Sequence, residues 1–303
     1  MTSNPNPQHP THGHQHHQHN HDDIDWAAMG EQIELEGEVL AGFVHDATQL
    51  ITERFAGGSV RTIVDIGSGP GVASCMLAEA FTEATVTAID ASAPLLVRAQ
   101  LRAERLGLGP RLLTQVGDLD HGLSVKEPVD LVWASMMLHH LHDQEAALGA
   151  VRRAMRVGGW LAIVEFGAPL VCIPPDALDS YVELLDRCQA AVRDWLPEQL
   201  PAGPAAPNGK NAPLHAALER AGFGHVGDTT LTVELPAPLA IEARRFVVQS
   251  FTRLREIVET RLDAADLAGL DELLDPHNPH GLPARQDLFV RTGRTLTTAQ
   301  AVA

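Results

Sequence analysis

Thr62-Ile63-Val64 is an apolar, β-branched run that ends in Asp65, and three glycines follow at alternate positions, Gly67, Gly69 and Gly71. A helix-forming stretch, residues 72–81, opens at once. β-branched residues favour a pleated strand, and glycine takes positive φ at no steric cost. The stretch therefore predicts a strand, a tight turn and a helix N-terminus in direct succession. That geometry lets backbone approach a small ligand closely, where the first N–H groups of a helix have no internal partner.

The same rhythm continues downstream. Apolar runs at 61–65, 85–90, 111–116, 129–134 and 161–165 read as strands, and 72–81, 94–106 and 144–156 read as the helices between them. Pro94 lies near the first turn of the second helix and Gly107 at its stop. Asp143 is placed to cap the third, which Gly158-Gly159 is expected to end. The strands are continuously apolar rather than alternating, as burial on both faces of a parallel sheet requires. Ahead of them, 26–55 has helical spacing (Ile33, Leu40, Phe43, Leu50, Ile51) and Gly57-Gly58 closes it.

After Gly167 the rhythm breaks. A helix is expected at 177–196, a Pro/Gly/Ala-rich connection at 201–213, and a short helix at 214–221. An alternating strand at 229–235, helices at 241–261 and 266–274, and a last strand at 287–292 follow. The organisation read from this is a His-rich tail (1–25), N-terminal helices (26–58), a ligand-binding core (59–168), a helical cap and linker (169–213), and the remainder of the sheet (214–303) with a helical insertion at 239–275.

Composition narrows the function. A formal charge of −17 argues against broad binding of nucleic acid or of anionic membranes, since both need clustered Lys and Arg. Three cysteines without C-x-x-C spacing suit a reducing compartment and supply neither a disulfide framework nor a zinc site. No apolar run is long enough to span a bilayer and no secretion-signal order is present, so a cytoplasmic location is expected. Residues 1–25 lack apolar periodicity and are expected to be disordered. Seven of the sixteen histidines fall between His9 and His21, a composition suited to weak transition-metal binding or simply to a solvated polar tail. No metal site is expected in the folded part, and the oligomeric state is left open.

Ligands of a doubly wound sheet sit beyond the carboxyl ends of its strands. The residues at those ends here are Asp65 and Gly67, then Asp90, Asp118, Ser135 and Glu165. An acid at the end of the second strand, some twenty residues past the glycine turn, is placed to accept both hydroxyls of a ribose. A carboxylate at Asp118 can accept from an exocyclic amine, with Leu119 packed on a ring. The plain alternative is that each Asp caps the helix that follows it. A dinucleotide fingerprint counted from Gly67 would need Gly or Ala at position 72, where the chain has Val72.

Asp65-Ile66-Gly67-Ser68-Gly69-Pro70-Gly71, Ala88-Ile89-Asp90, Gly117-Asp118-Leu119 and Ser135-Met136-Met137-Leu138-His139-His140-Leu141 resemble successive motifs of the class I S-adenosylmethionine (SAM)-dependent methyltransferases. Arg156-Val157-Gly158-Gly159 resembles their R-P-G-G turn, with Val157 in place of the usual Pro. The resemblance covers about residues 60–167 in order. It implies a Rossmann-like, doubly wound, mostly parallel seven-stranded α/β sheet with helical N-terminal and cap insertions, SAM as cofactor, and a small-molecule acceptor. It implies that Asp65, Gly67, Ser68, Gly69 and Gly71 hold the methionine part, Asp90 and Ala91 the ribose, and Asp118 and Leu119 the adenine. Ala134 and Ser135 would line the sulfonium side. Met136 stands where relatives often carry Asn.

Methyl transfer is an in-line displacement, so alignment and exclusion of water matter most, with a base where the acceptor must lose a proton. His139, His140, His142 and Glu165 are the candidates, and His139, just past the fourth strand, is favoured, with Glu165 able to bind a cation or take a proton. Two other readings stand beside this one: an NAD(P)-dependent oxidoreductase on a similar sheet, and a non-catalytic SAM-binding or metal-handling module.

Overall fold

Five parallel strands form the part of the sheet that the apolar runs foretell: β1 (Thr62–Ile66), β2 (Thr85–Asp90), β3 (Leu112–Val116), β4 (Val129–Ser135) and β5 (Met155–Phe166). In the computed structural model, which describes residues 26–55, 58–174, 179–205 and 211–303, they lie in the order β3-β2-β1-β4-β5. Two further strands, β6 (Phe223–Leu235) and β7 (Val290–Ala301), complete a seven-stranded sheet, with β7 antiparallel between β5 and β6. The order reverses at β1 and β4, and this is where an open α/β sheet leaves a crevice at its carboxyl edge.

Successive residues of the central strands feed two separate cores. Ile63, Leu131, Trp133, Trp160 and Ala162 belong to one, and Val64, Val132, Leu161 and Ile163 to the other. That division explains why these strands read as unbroken apolar runs. Helices α1 (Trp26–Val39), α2 (Gly42–Arg54), α3 (Val72–Ala80) and α4 (Ala93–Arg105) lie with the first core, and α5 (Gln144–Ala154) covers the second. α6 (Asp179–Gln199), α7 (Ala212–Arg220), α8 (Ile241–Ile257) and α9 (Ala264–Leu274) come later in the chain. α6 and α9 pack against α8, and α8 against α1. No helix among the described residues is long and apolar enough to cross a membrane.

The structure departs from the sequence reading at three boundaries. The third helix ends at Ala154, not at the glycines, and β5 starts at Met155, so Gly158-Gly159 lies inside the strand. Pairing jumps there from Val129↔Met155 to Leu131↔Trp160, and Gly158 takes φ +85° to absorb the bulge. Buried Asp130 fixes this corner: Oδ2 accepts from the backbone N–H groups of Arg61 and Thr62, and Oδ1 from Arg156 Nε at 2.8 Å. β6 begins at Phe223 rather than at 229, through a register shift between Gly224 and Gly227. β7 spans Val290–Ala301 instead of 287–292, because its Thr- and Arg-rich sequence carries no apolar run to announce it. The tail 1–25, with the disorder and metal binding read for it, and Gly57 lie outside the described residues.

Candidate active site

The glycine turn is stitched to the end of β2 as well as to its own helix, where Gly71 O accepts from Cys75 N–H. Gly67 N–H and Ser68 N–H both donate to Ile89 O, at 2.8 and 3.1 Å, and Gly69 N–H donates to Asp90 Oδ2 at 2.8 Å. Asp90 Oδ1 accepts from Ser92 N–H at 2.8 Å, and Asp90 O accepts from Gly117 N–H. The carboxyl ends of β1, β2 and β3 are thus joined by backbone bonds centred on Asp90.

All three glycines have positive φ, but for different ends. A methyl at Gly67 would sit 2.6 Å from Met137 Cβ, and one at Gly71 2.5 Å from Ala99 Cβ, so both positions are closed by the protein's own packing. At Gly69 the one atom within 4 Å would be Ile33 Cγ2 at 3.6 Å. Gly69 therefore faces a space that the described side chains do not fill. On either side of it, Ser68 Oγ and Ser92 Oγ are buried without a hydrogen-bond partner. Ser92 precedes α4 yet its hydroxyl makes no capping bond. Two unpaired hydroxyls beside an open glycine and a carboxylate are the donor and acceptor set that a nucleoside with a charged amino-acid tail requires.

A second cluster lies where β4 and β5 end. His139 Nδ1 is 2.5 Å from Glu165 Oε2, and Leu138 N–H donates to Glu165 Oε1 at 3.1 Å. Both side chains are buried, and the His139 ring stacks 4.7 Å from that of Phe166 and 4.2 Å from that of His140. A carboxylate that holds Nδ1–H leaves the lone pair of the imidazole on Nε2. Met136, between strand and dyad, adopts φ +53°, a left-handed conformation that costs a non-glycine residue about 1–2 kcal/mol. Asparagine, which the resemblance places there, enters that region more easily. Met137 packs on Gly67, so the dyad and the glycine turn are neighbours.

A methyltransferase-domain family model matches residues 63–159, which span the turn, the Asp90 knot and the first half of β5. The chain is 35% identical over 102 residues to trans-aconitate 2-methyltransferase of an Azoarcus species, covering 34% of this chain and 38% of that one. It is 26% identical over 231 residues to the enzyme of the same name from Methylobacterium radiotolerans, covering 76% of each. Residues 63–159 are a methyltransferase domain, and the relatives support a class I SAM-dependent methyltransferase. Over three of the most similar relatives the match spans between 24% and 52% of their length. A crystal structure described as a putative methyltransferase from Bacillus halodurans shares the fold, at 16% identity and a TM-score of 0.50 over 84% of this chain and 99% of that one.

The methyltransferase-domain match does not favour the oxidoreductase reading, in keeping with Val72 at the start of α3. Within the methyltransferase sheet, the sequence-predicted residues separate into three groups. Gly67, Ser68, Gly69, Gly71, Asp90 and Ala91 gather around the turn. Ala134, Ser135, His139 and Glu165 stand on adjoining strand ends, Ser135 beside Val164 in the β4–β5 register. Asp65 and Asp118 are engaged locally. Asp65 is 1% exposed and accepts from Ser74 Oγ of α3 at 2.5 Å. Burial pushes its carboxyl up to about 7; the Ser74 hydrogen bond opposes this and the nearby Asp90 charge adds to it. Asp118 accepts from Asp120 N–H at 3.0 Å and from His121 Nδ1 at 2.9 Å, and so does cap the one-turn helix that carries Leu119. His142 pairs with Asp120 at the exposed rim, which separates it from the dyad. The three buried thiols are pushed up by burial, to about 11 at Cys75 and Cys188 and about 12 at Cys172. Among the described residues no group of three or more His, Cys, Asp or Glu is arranged for a metal ion.

The sequence reading missed α1 as a wall of the site. Gly30 and Gly37 let α1 settle onto Leu95 and Arg98 of α4 and onto Val72 of α3, and Ile33 between them overhangs Gly69. Glu31, Glu34 and Glu38 face Arg98, Arg102 and Arg105 in a ladder: Glu34 meets Arg98 at 3.1 Å and Arg102 at 2.8 Å, and Glu38 meets Arg102. The signal was present in the spacing, three or four residues between acids on one helix and between bases on another. Ser92 was missed because serine before a helix reads as a cap.

Proposed function

We propose that this chain is a methyltransferase (EC 2.1.1.-) that moves the methyl group of SAM to a small-molecule acceptor whose nucleophile must first lose a proton. SAM, when bound, supplies an electrophilic methyl on a sulfonium. The protein's part is to hold, orient, exclude water and take a proton. Gly67, Ser68, Gly69 and Gly71 would hold the amino-acid end, Asp90 with Ala91 and Ser92 the ribose, Asp118 and Leu119 the adenine, and Ala134 and Ser135 the sulfonium side. Asp65 acts at one remove, by fixing α3 to β1 through Ser74, and is a positioning residue. Glu165 holds Nδ1–H of His139, which presents Nε2 to an acceptor proton in a water-poor site.

The observation that carries this reading is the buried 2.5 Å His139–Glu165 pair beside the glycine turn. A carboxylate at Nδ1 fixes the tautomer and leaves the lone pair of Nε2 for an acceptor proton. Calorimetric titration with SAM and S-adenosylhomocysteine, followed by a small-molecule acceptor screen with methyl-labelled SAM, tests it. SAM binding is expected, together with transfer of label to an acceptor. Transfer in wild type that persists undiminished in His139→Ala would dismiss the base. No binding of SAM would dismiss the whole proposal.

A further inference from the structure

The exposed apolar side chains are not scattered. Val97, Leu101, Leu106, Leu113 and Val116 are five of the eight large apolar residues that the described part of the chain exposes, each about half or more accessible. All five lie on α4, β3 or the link between them. β3 is the last strand on its side of the sheet, paired with β2 alone. A groove of about 370 Å³ runs between this strand and α4, lined by Leu96, Val97, Gln100, Leu101, Thr114 and Val116. Edge strands are ordinarily protected by Lys, Pro, bulges or a covering segment. From Leu112 to Val116 there is no charge, no proline and no bulge, and the outer edge joins no strand among the described residues.

We infer that this face is where a second copy of the chain docks, β3 against β3 antiparallel and α4 beside α4, about a two-fold axis at Thr114. The strand is complementary to itself. Leu112, Thr114 and Val116 share the α4 side, since residues two apart in a strand face the same way. Read in the opposite direction, Leu112 meets Val116 of the copy, Thr114 meets Thr114, and Leu113 on the other side meets Gln115. Aliphatic and Thr–Thr cross-strand pairs are favourable, and no like charges are set opposite each other. Charge argues for this face in particular. A chain of −17 repels its own copies, so association is cheapest where the surface is uncharged. The outward stripe of α4 from Ala93 through Val97 to Leu101 carries no charge, and Arg98 and Arg102 turn to the α1 acids. α4 is about 20 Å long. One helix face and one five-residue strand make a small interface, below the roughly 800 Å² per partner of a standard one, so a weak, concentration-dependent dimer is expected. The carboxyl ends of β1, β4 and β5, with the glycine turn and the His139–Glu165 pair, lie inward of this edge strand, and each copy keeps its own site.

Sedimentation equilibrium of the full chain from about 1 to 100 μM, with Leu101→Glu and Thr114→Cys beside wild type, decides the matter. Wild type should pass from monomer to dimer over that range. Leu101→Glu, on the exposed face of α4, should keep its thermal unfolding and SAM affinity and need at least tenfold more protein to associate. Opposed Cα atoms in an antiparallel pair lie about 4.5–5.5 Å apart, within disulfide reach. Thr114→Cys should therefore form a disulfide-linked dimer under copper–phenanthroline and oxygen, while Ile241→Cys, exposed and remote, should not. A monomer throughout, as expected if another protein covers this face, overturns the inference. So does a dimer that Leu101→Glu leaves intact, or one that Thr114→Cys fails to cross-link.

Discussion

The two halves of the site are built in different ways. Around Asp90 the groups come from neighbouring strand ends and are tied by backbone N–H bonds to one carboxylate and one carbonyl, Ile89 O. Around His139 the decisive bond joins two side chains, from β4's exit and β5's end, 26 positions apart in the chain. Backbone stitching tolerates most side-chain change except at the glycines and at Asp90. The dyad depends wholly on two residue identities. The first half is therefore expected to govern affinity for the cofactor, and the second the rate of the chemical step.

The sharpest way to break that division is His139→Ala. General-base assistance contributes about 100- to 10,000-fold, so turnover should fall by that factor while SAM affinity from calorimetry stays within about twofold. Matching losses in both would merge the two halves.

Asp65→Asn tests the support under the first half through pH. Burial holds the carboxyl at about 7 against an ordinary 3.8, so between these values the folded state binds more protons than the unfolded one. Stability must then fall as pH rises from about 4 to 7, and the loss is complete above that. Each pH step of one between those values costs about 1.4 kcal/mol. The asparagine variant should therefore gain up to a few kcal/mol on wild type between about pH 4.5 and 8 in urea unfolding. A gap that does not change with pH would show that Asp65 is ionised when folded.

Asp90→Ala removes the acceptor that ties Gly69 and Ser92. A loss of about 1.5–3 kcal/mol per charge-assisted bond corresponds to a SAM dissociation constant roughly ten- to a hundredfold higher, with turnover at saturating SAM little changed. A change in turnover alone would reverse the roles assigned to the two halves. The smallest effect is expected for Glu34→Gln. Partly exposed ion pairs contribute under about 1 kcal/mol, so the thermal midpoint should drop slightly, and less in high salt. An unchanged midpoint at low salt would remove the α1–α4 ladder from the account of how α1 is held over Gly69.

The legible parts of the molecule share a physical property. β2 was readable at both ends, and Val72 and Gln144 as helix starts, because hydrophobic periodicity, glycine at positive φ and an Asp cap each act within a few residues. Gly71 and Gly67 could be marked as required glycines without knowing that Ala99 and Met137 are what require them. β7 and the start of β5 were illegible: Thr and Arg side chains become strand residues only once β5, β6 and the Asp130 corner offer hydrogen bonds to pair with.

By itself the sequence determined the parallel core, the glycine turn, and which acids and histidines stand at strand ends, since those follow from local spacing. Tertiary structure decided how the strand-end groups are used. It paired Asp65 with Ser74, set Asp118 at the cap of its own one-turn helix, joined His139 to Glu165, and laid Ile33 over Gly69. A side chain's partner depends on which elements the packed sheet and helices bring within about 3 Å of it, and that distance is set by the whole chain at once.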